Sequence, residues 1–224
     1  QLSSVVELER MWADSESNWA RDSDCVIGAP MAGAWVGSHD AVDKLTPEGN
    51  NLLLVHMARA DAVTDLVKGP EGGSHRALRA TALGKARTVI VDGVWISIPD
   101  DTTLTATASG VPGGAAVDYY QARPVEVGER FDKVSLVPGR AQTFESNHGA
   151  VTVRANEPVT STSADGTEAS GAVTVLTVEV RFGSASTPTA HATIDLVTLR
   201  ASASAPAGGI DCPSTAVPPA PMVT

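Results

Sequence analysis

Along much of this chain, small side chains alternate with polar ones at a period of two. In residues 76–91, Leu78, Ala80, Ala82, Gly84 and Ala86 share one phase, while Arg79, Thr81, Lys85 and Arg87 fall mainly on the other. A helix would scatter these sets around its axis, whereas a strand puts each on its own face. Alanine is the best helix former, but the interleaved Thr and Val oppose that reading. Ala58, Ala60 and Ala62 repeat the device between Arg59 and Asp61 in residues 52–65, as do Leu104, Ala106 and Ala108 between Thr103, Thr105 and Thr107. Strands are also predicted over 94–98, 115–120, 125–127, 134–137, 150–155, 172–182 and 191–203. Turn chemistry separates them, as in Val111-Pro112-Gly113-Gly114, Pro138-Gly139, Asn147-His148-Gly149 and Ala164-Asp165-Gly166.

About ten strands so spaced predict an all-β fold, a β-sandwich of immunoglobulin-like or jelly-roll-like type. Its small alanine faces allow close sheet packing. The expected organisation is an N-terminal segment with loops over 1–50, a β-sandwich over 51–212 and a Pro-rich tail over 213–224. The N-terminal segment is expected to be irregular, with at most one or two short helices. Val5, Leu8, Met11 and Trp12 recur at helical spacing, although the β-branched Val5 and Val6 equally permit a strand. Residues 25–50 read as loop with short apolar pieces such as Ala32 to Val36. Residues 161–170 read as the best internal loop or weak boundary.

Twenty-six Asp and Glu against sixteen Lys and Arg give a net charge of −10, which repels a phosphate backbone and excludes nucleic acid as a natural partner. No run of eighteen apolar residues is present, so no transmembrane segment is expected. The chain begins at Gln1, from which we expect a signal peptide to have been removed and an extracellular or cell-surface location.

Chemistry-bearing patterns are sparse. His39, His56, His75, His148 and His191 lack zinc-ligand spacing. Ser38-His39-Asp40 supplies the residue types of a serine triad, but consecutive residues do not reach triad geometry, and no GxSxG elbow accompanies them. Asp22 and Asp24 are the densest candidate for a calcium site, without a DxDxDG loop, and read first as solvated turn carboxylates. No catalytic residue, cofactor or firm metal site is expected. Trp12, Trp19, Trp35 and Trp95 are separated and only Tyr119-Tyr120 are adjacent, a poor supply for a sugar platform. The two cysteines, Cys25 and Cys212, either bond to each other or remain buried thiols.

Several phrases stand out: Ser17-Asn18-Trp19-Ala20-Arg21-Asp22-Ser23-Asp24-Cys25, Leu104 to Gly110 followed by Val117-Asp118-Tyr119, Asp165-Gly166-Thr167, Ala169 to Val173, and Ala207-Gly208-Gly209-Ile210-Asp211-Cys212-Pro213. They resemble the secreted actinobacterial choice-of-anchor family of exported surface proteins. The resemblance implies export, a β-rich fold, a Cys25–Cys212 bridge and no catalytic residue to carry over. The expected function is a secreted non-enzymatic structural or assembly protein, self-associating as a filament or cell-surface subunit. Its assembly segment is read as Val217, Pro218, Pro219, Pro221, Met222 and Val223. The alternative is a secreted module that binds or hydrolyses cell-wall carbohydrate or protein.

Overall fold

The computed structural model describes residues 5–18, 30–38, 41–43, 53–72, 75–99, 101–184 and 187–212, with most of their side chains from Ala60 onward. All sixteen elements among the described residues are strands. In chain order they are β1 (Val5–Asn18), β2 (Pro30–Ser38), β3 (Ala41–Asp43), β4 (Leu53–Lys68), β5 (His75–Val91), β6 (Val94–Ser97), β7 (Thr102–Ala108), β8 (Ala115–Gln121), β9 (Val125–Gly128), β10 (Lys133–Leu136), β11 (Ala141–Ser146), β12 (Gly149–Ala155), β13 (Val159–Thr162), β14 (Glu168–Ser184), β15 (Thr187–Ser204) and β16 (Ile210–Asp211). One sheet runs β1-β15-β14-β12-β11, with β13 also on β14. The other runs β10-β9-β6-β5-β4-β2, with β3 on β4, β7 and β16 on β5, and β8 on β7. Pairing is antiparallel except between β1 and β15, which run parallel from Val5↔His191 to Asn18↔Ser204.

The predicted alternation holds. Leu78, Ala80 and Ala82 of β5 and Leu104, Ala106 and Ala108 of β7 are buried, while Arg79, Thr81, Thr103, Thr105 and Thr107 are partly exposed. Facing them from the other sheet are Val173, Val175, Leu199, Ala201 and Ala203, and a single apolar core takes residues from both sheets. At Gly171 a Cβ would press on Val117 Cγ1 and Leu104 Cδ1, and at Gly84 it would collide with Val197 Cγ1.

Several expectations change. Residues 5–12 form part of strand β1, not a helix: β15 offers an edge along its length, and a helix of two turns is marginal without packing of its own. No helix occurs among the described residues, so the short N-terminal helices are not seen there. Within the segment read as loop, Pro30–Ser38 and Ala41–Asp43 pair with β4, so strand pairing extends to both sides of residue 50. Residues 161–170 belong largely to a hairpin in which Val159↔Ala172 and Thr162↔Ala169 are opposed. Its turn is held by Asp165, whose Oδ1 accepts from the Thr167 N–H at 3.1 Å and hydroxyl at 2.8 Å. Hydrogen bonds from Ser163 and Thr167 hold the Asp165 carboxyl below its usual range. Strand β11 was not anticipated, because Ala141-Gln142-Thr143-Phe144-Glu145-Ser146 carries little apolar alternation.

Both long strands of the first sheet change phase midway. In β15 the buried set passes from Ala192, Ile194 and Leu196 to Leu199, Ala201 and Ala203; in β14 it passes from Val173 and Val175 to Leu176, Val178 and Val180. The change in β15 falls at Val197, whose φ is 60°. A β-branched residue rarely adopts that conformation. It is held where Gly84 leaves room for Val197 Cγ1. We predict that Gly84→Ala lowers unfolding stability by about 1–3 kcal/mol through overpacking. The same change should cost much less in a Val197→Ala background, and urea denaturation of the four proteins as a double-mutant cycle measures that coupling.

Candidate functional site

Strand β5 is shared. It pairs with β7 along Leu78–Gly84 and with β6 along Thr88–Val91, so the sheet forks where the chain leaves Ser97 and re-enters at Thr102. On the β6 branch, the partners Thr88↔Ser97, Ser97↔Glu126 and Glu126↔Ser135 form one row across four strands. Ile90↔Trp95, Trp95↔Gly128 and Gly128↔Lys133 form the next. Val89, Val91, Val94, Ile96, Val125 and Val127 are buried, so both rows lie on the outer face.

This face has a defined geometry. Lys133 Nζ donates to Ser97 Oγ at 2.6 Å. The guanidinium of Arg130 lies 5.4 Å from the centre of the Trp95 ring and 5.2 Å from that of Phe131, within cation–π range. Gly128, with φ of 151°, has no room for a Cβ beside the Asp132 carbonyl, which keeps the β9–β10 turn tight beneath Arg130. Beside Ser97, at the fork, a cleft of about 240 Å³ is lined by Ile98, Pro99, Pro124, Arg87, Arg123 and Glu126.

Asp92 and His148 join the two sheets at one end. Asp92, only 1% exposed, opens the Asp92-Gly93 turn between β5 and β6 with φ of 47°, an Asp-Gly pair suited to a tight hairpin. Its carboxylate meets His148 Nδ1 at 2.5 Å and accepts the His148 backbone N–H at 3.0 Å. The Asn147 N–H donates to the Asp92 carbonyl at 3.1 Å. An aspartate that orients a histidine is half of a hydrolytic triad. The nearby buried Ser146 Oγ has no hydrogen-bond partner, so it is not bonded to His148. The pair links the β5–β6 turn to the β11–β12 turn.

Most of the residues singled out in sequence lie outside the described residues: His39, Asp40, Asp22, Asp24, Cys25, Trp19 and the segment Val217, Pro218, Pro219, Pro221, Met222 and Val223. His75 Nδ1 is 2.9 Å from Asp211 Oδ1, an ion-pair separation without hydrogen-bond alignment. His191 Nε2 lies 3.9 Å from Glu179. Asp65 pairs in two-point fashion with Arg79 opposite it, at 2.8 and 2.5 Å. Cys212 is 2% exposed and follows β16. Among the described residues, no group of three or more His, Cys, Asp or Glu is placed to hold a metal, and no helix is long and apolar enough to cross a membrane. Tyr119 and Tyr120, adjacent in β8, point to opposite faces and form no platform. The aromatic pair that does come together, Trp95 and Phe131, is separated in sequence and joined by the β9–β10 hairpin; Arg130-Phe131 at its turn was the only available signal. Comparison with protein-family models, curated proteins and solved structures returns no match for this chain.

Two predictions follow from these groups' surroundings. Asp92→Ala strands the His148 N–H and ring nitrogen and should cost about 1–3 kcal/mol, with Asp92→Asn costing less because Asn tolerates positive φ; thermal unfolding of the two variants gives the comparison. Burial raises the Tyr119 phenol from 10.0 to about 12. The unfolded chain then ionises first, so stability should fall as pH rises from about 10 towards 12. An absorbance titration near 295 nm should show a late tyrosinate step that Tyr119→Phe removes.

Proposed function

We propose that this chain is an exported, non-enzymatic structural or assembly module, a β-sandwich tied by a Cys25–Cys212 bridge and associating with copies of itself along a sheet edge. The observation that carries the assembly reading is the state of β10. Among the described residues it ends its sheet with no strand beyond it, and its inward-facing Val134 is 41% exposed, although its pairing partner Val127 is fully buried. Val137, 63% exposed, extends the apolar strip beyond the strand's end. An uncovered edge strand with apolar side chains is a template for another strand. A second copy is the natural occupant, because antiparallel β10–β10 pairing sets the same strip against itself in an isologous contact. Such a contact closes a dimer, so filament growth requires a different second contact. The tail from Val217 to Val223 keeps that role in the proposal.

Two facts support the bridge: Cys212 is buried beside the core, and Cys25 is the only other cysteine in the sequence. Non-reducing peptide mapping should recover Cys25 and Cys212 in one linked species; recovery of both as thiols removes the bridge. Sedimentation equilibrium should find dimers or larger species of the wild type and monomers of the Val134→Lys/Val137→Lys protein, with unchanged β-type circular dichroism. A wild-type monomer at high concentration refutes assembly. Removal of residues 213–224 should leave β10 dimers and abolish anything longer.

A further inference from the structure

The face at the fork carries both signs of charge. Arg130 and Lys133 lie on it beside the exposed Glu126, Glu129 and Asp132, and Arg87 and Arg123 border the cleft. Arg130 lies over two rings, and a guanidinium stacked on a ring still directs its N–H donors outward in a planar fork matched to a carboxylate. Lys133 uses Ser97 as acceptor, and Ser97 is also a wall of the cleft, so the Arg130–Trp95 stack and the cleft are contiguous. Trp95 and Ser97 are successive outward positions of β6, about 7 Å apart along the strand. Phe131 adds a ring that is almost wholly in solvent.

From this juxtaposition we infer that the outer face of β6, β9 and β10, with the adjoining cleft, binds a carboxylated saccharide of the uronic-acid type. The Arg130 fork takes the carboxylate, Phe131 and the exposed part of Trp95 take the apolar side of a sugar ring, and the cleft takes a neighbouring ring. Ser97 and Glu126 meet the hydroxyls. Glu126 favours a sugar over a bare phosphate or sulfate, because sugar hydroxyls donate to its carboxylate and a fully ionised bare anion has no donor to offer. The reading is independent of edge pairing, since Val134 and Val137 lie outside both outer-face rows.

The test titrates tri-galacturonate into the full chain and follows the amide and indole NMR signals of Trp95 and Gly128, with maltotriose and citrate as controls. The expected result is saturable binding of tri-galacturonate at least tenfold tighter than of either control. Arg130→Ala and Trp95→Ala should each weaken it at least tenfold, while dispersed spectra show both variants folded. Binding should persist unchanged in the Val134→Lys/Val137→Lys protein. No saturation by about 10 mM overturns the site. Equal binding of citrate removes the saccharide, equal binding of maltotriose removes the charge recognition, and loss of binding in the folded edge variant removes the single-chain face.

Discussion

Where β5 passes beneath β15, Gly84 has no Cβ and Val197 fills the space from the opposite sheet. A similar fit recurs at Gly171, which sits against Leu104 and Val117. Between these points the interior is lined largely by alanine and valine, side chains short enough that the sheets must come close to exclude water. Close approach leaves little freedom for relative sliding. Two strands change phase to keep apolar residues inward along their whole length, and Val197 takes a positive φ as part of that change.

That packing determines what the remaining surfaces can do. Small residues on the inner faces leave arginines, lysines and threonines for the outer ones, which is why the chemistry collects there. The fork in the second sheet follows from the length of β5, which outlasts both β6 and β7 and must be covered by the two in turn. The gap between them becomes the cleft. The Asp92–His148 pair ties the β5–β6 turn to the β11–β12 turn, so the branch that carries Trp95 is anchored at its far end.

The strands were legible where period-two polarity was strong. β5, β7, β12, β14 and β15 could be placed from their own residues because a buried strand face demands apolar side chains at alternate positions. β11 and β13 could not: Gln142, Thr143 and Glu145 and the run Val159-Thr160-Ser161-Thr162 are strand only because β12 and β14 offer them hydrogen-bonding edges. β1 shows the same dependence more sharply. Its apolar residues fit a helix and a strand alike, and only the presence of β15 decides. The candidate face was less legible still, because Trp95, Ser97, Glu126 and Arg130 become neighbours through strand register.

The sequence by itself determined the class of structure: alternating small and polar residues with Gly- and Asp-rich turns can bury an apolar surface only as sheet. Which strands lie side by side, where the sheet forks, and that Asp92 meets His148 across 56 positions of chain were decided by the tertiary structure. Alternation states which side of a strand faces inward but carries no information about its neighbour. That choice is made by the fit of whole faces, Gly84 against Val197 and Gly171 against Leu104, which exists only once both sheets have formed.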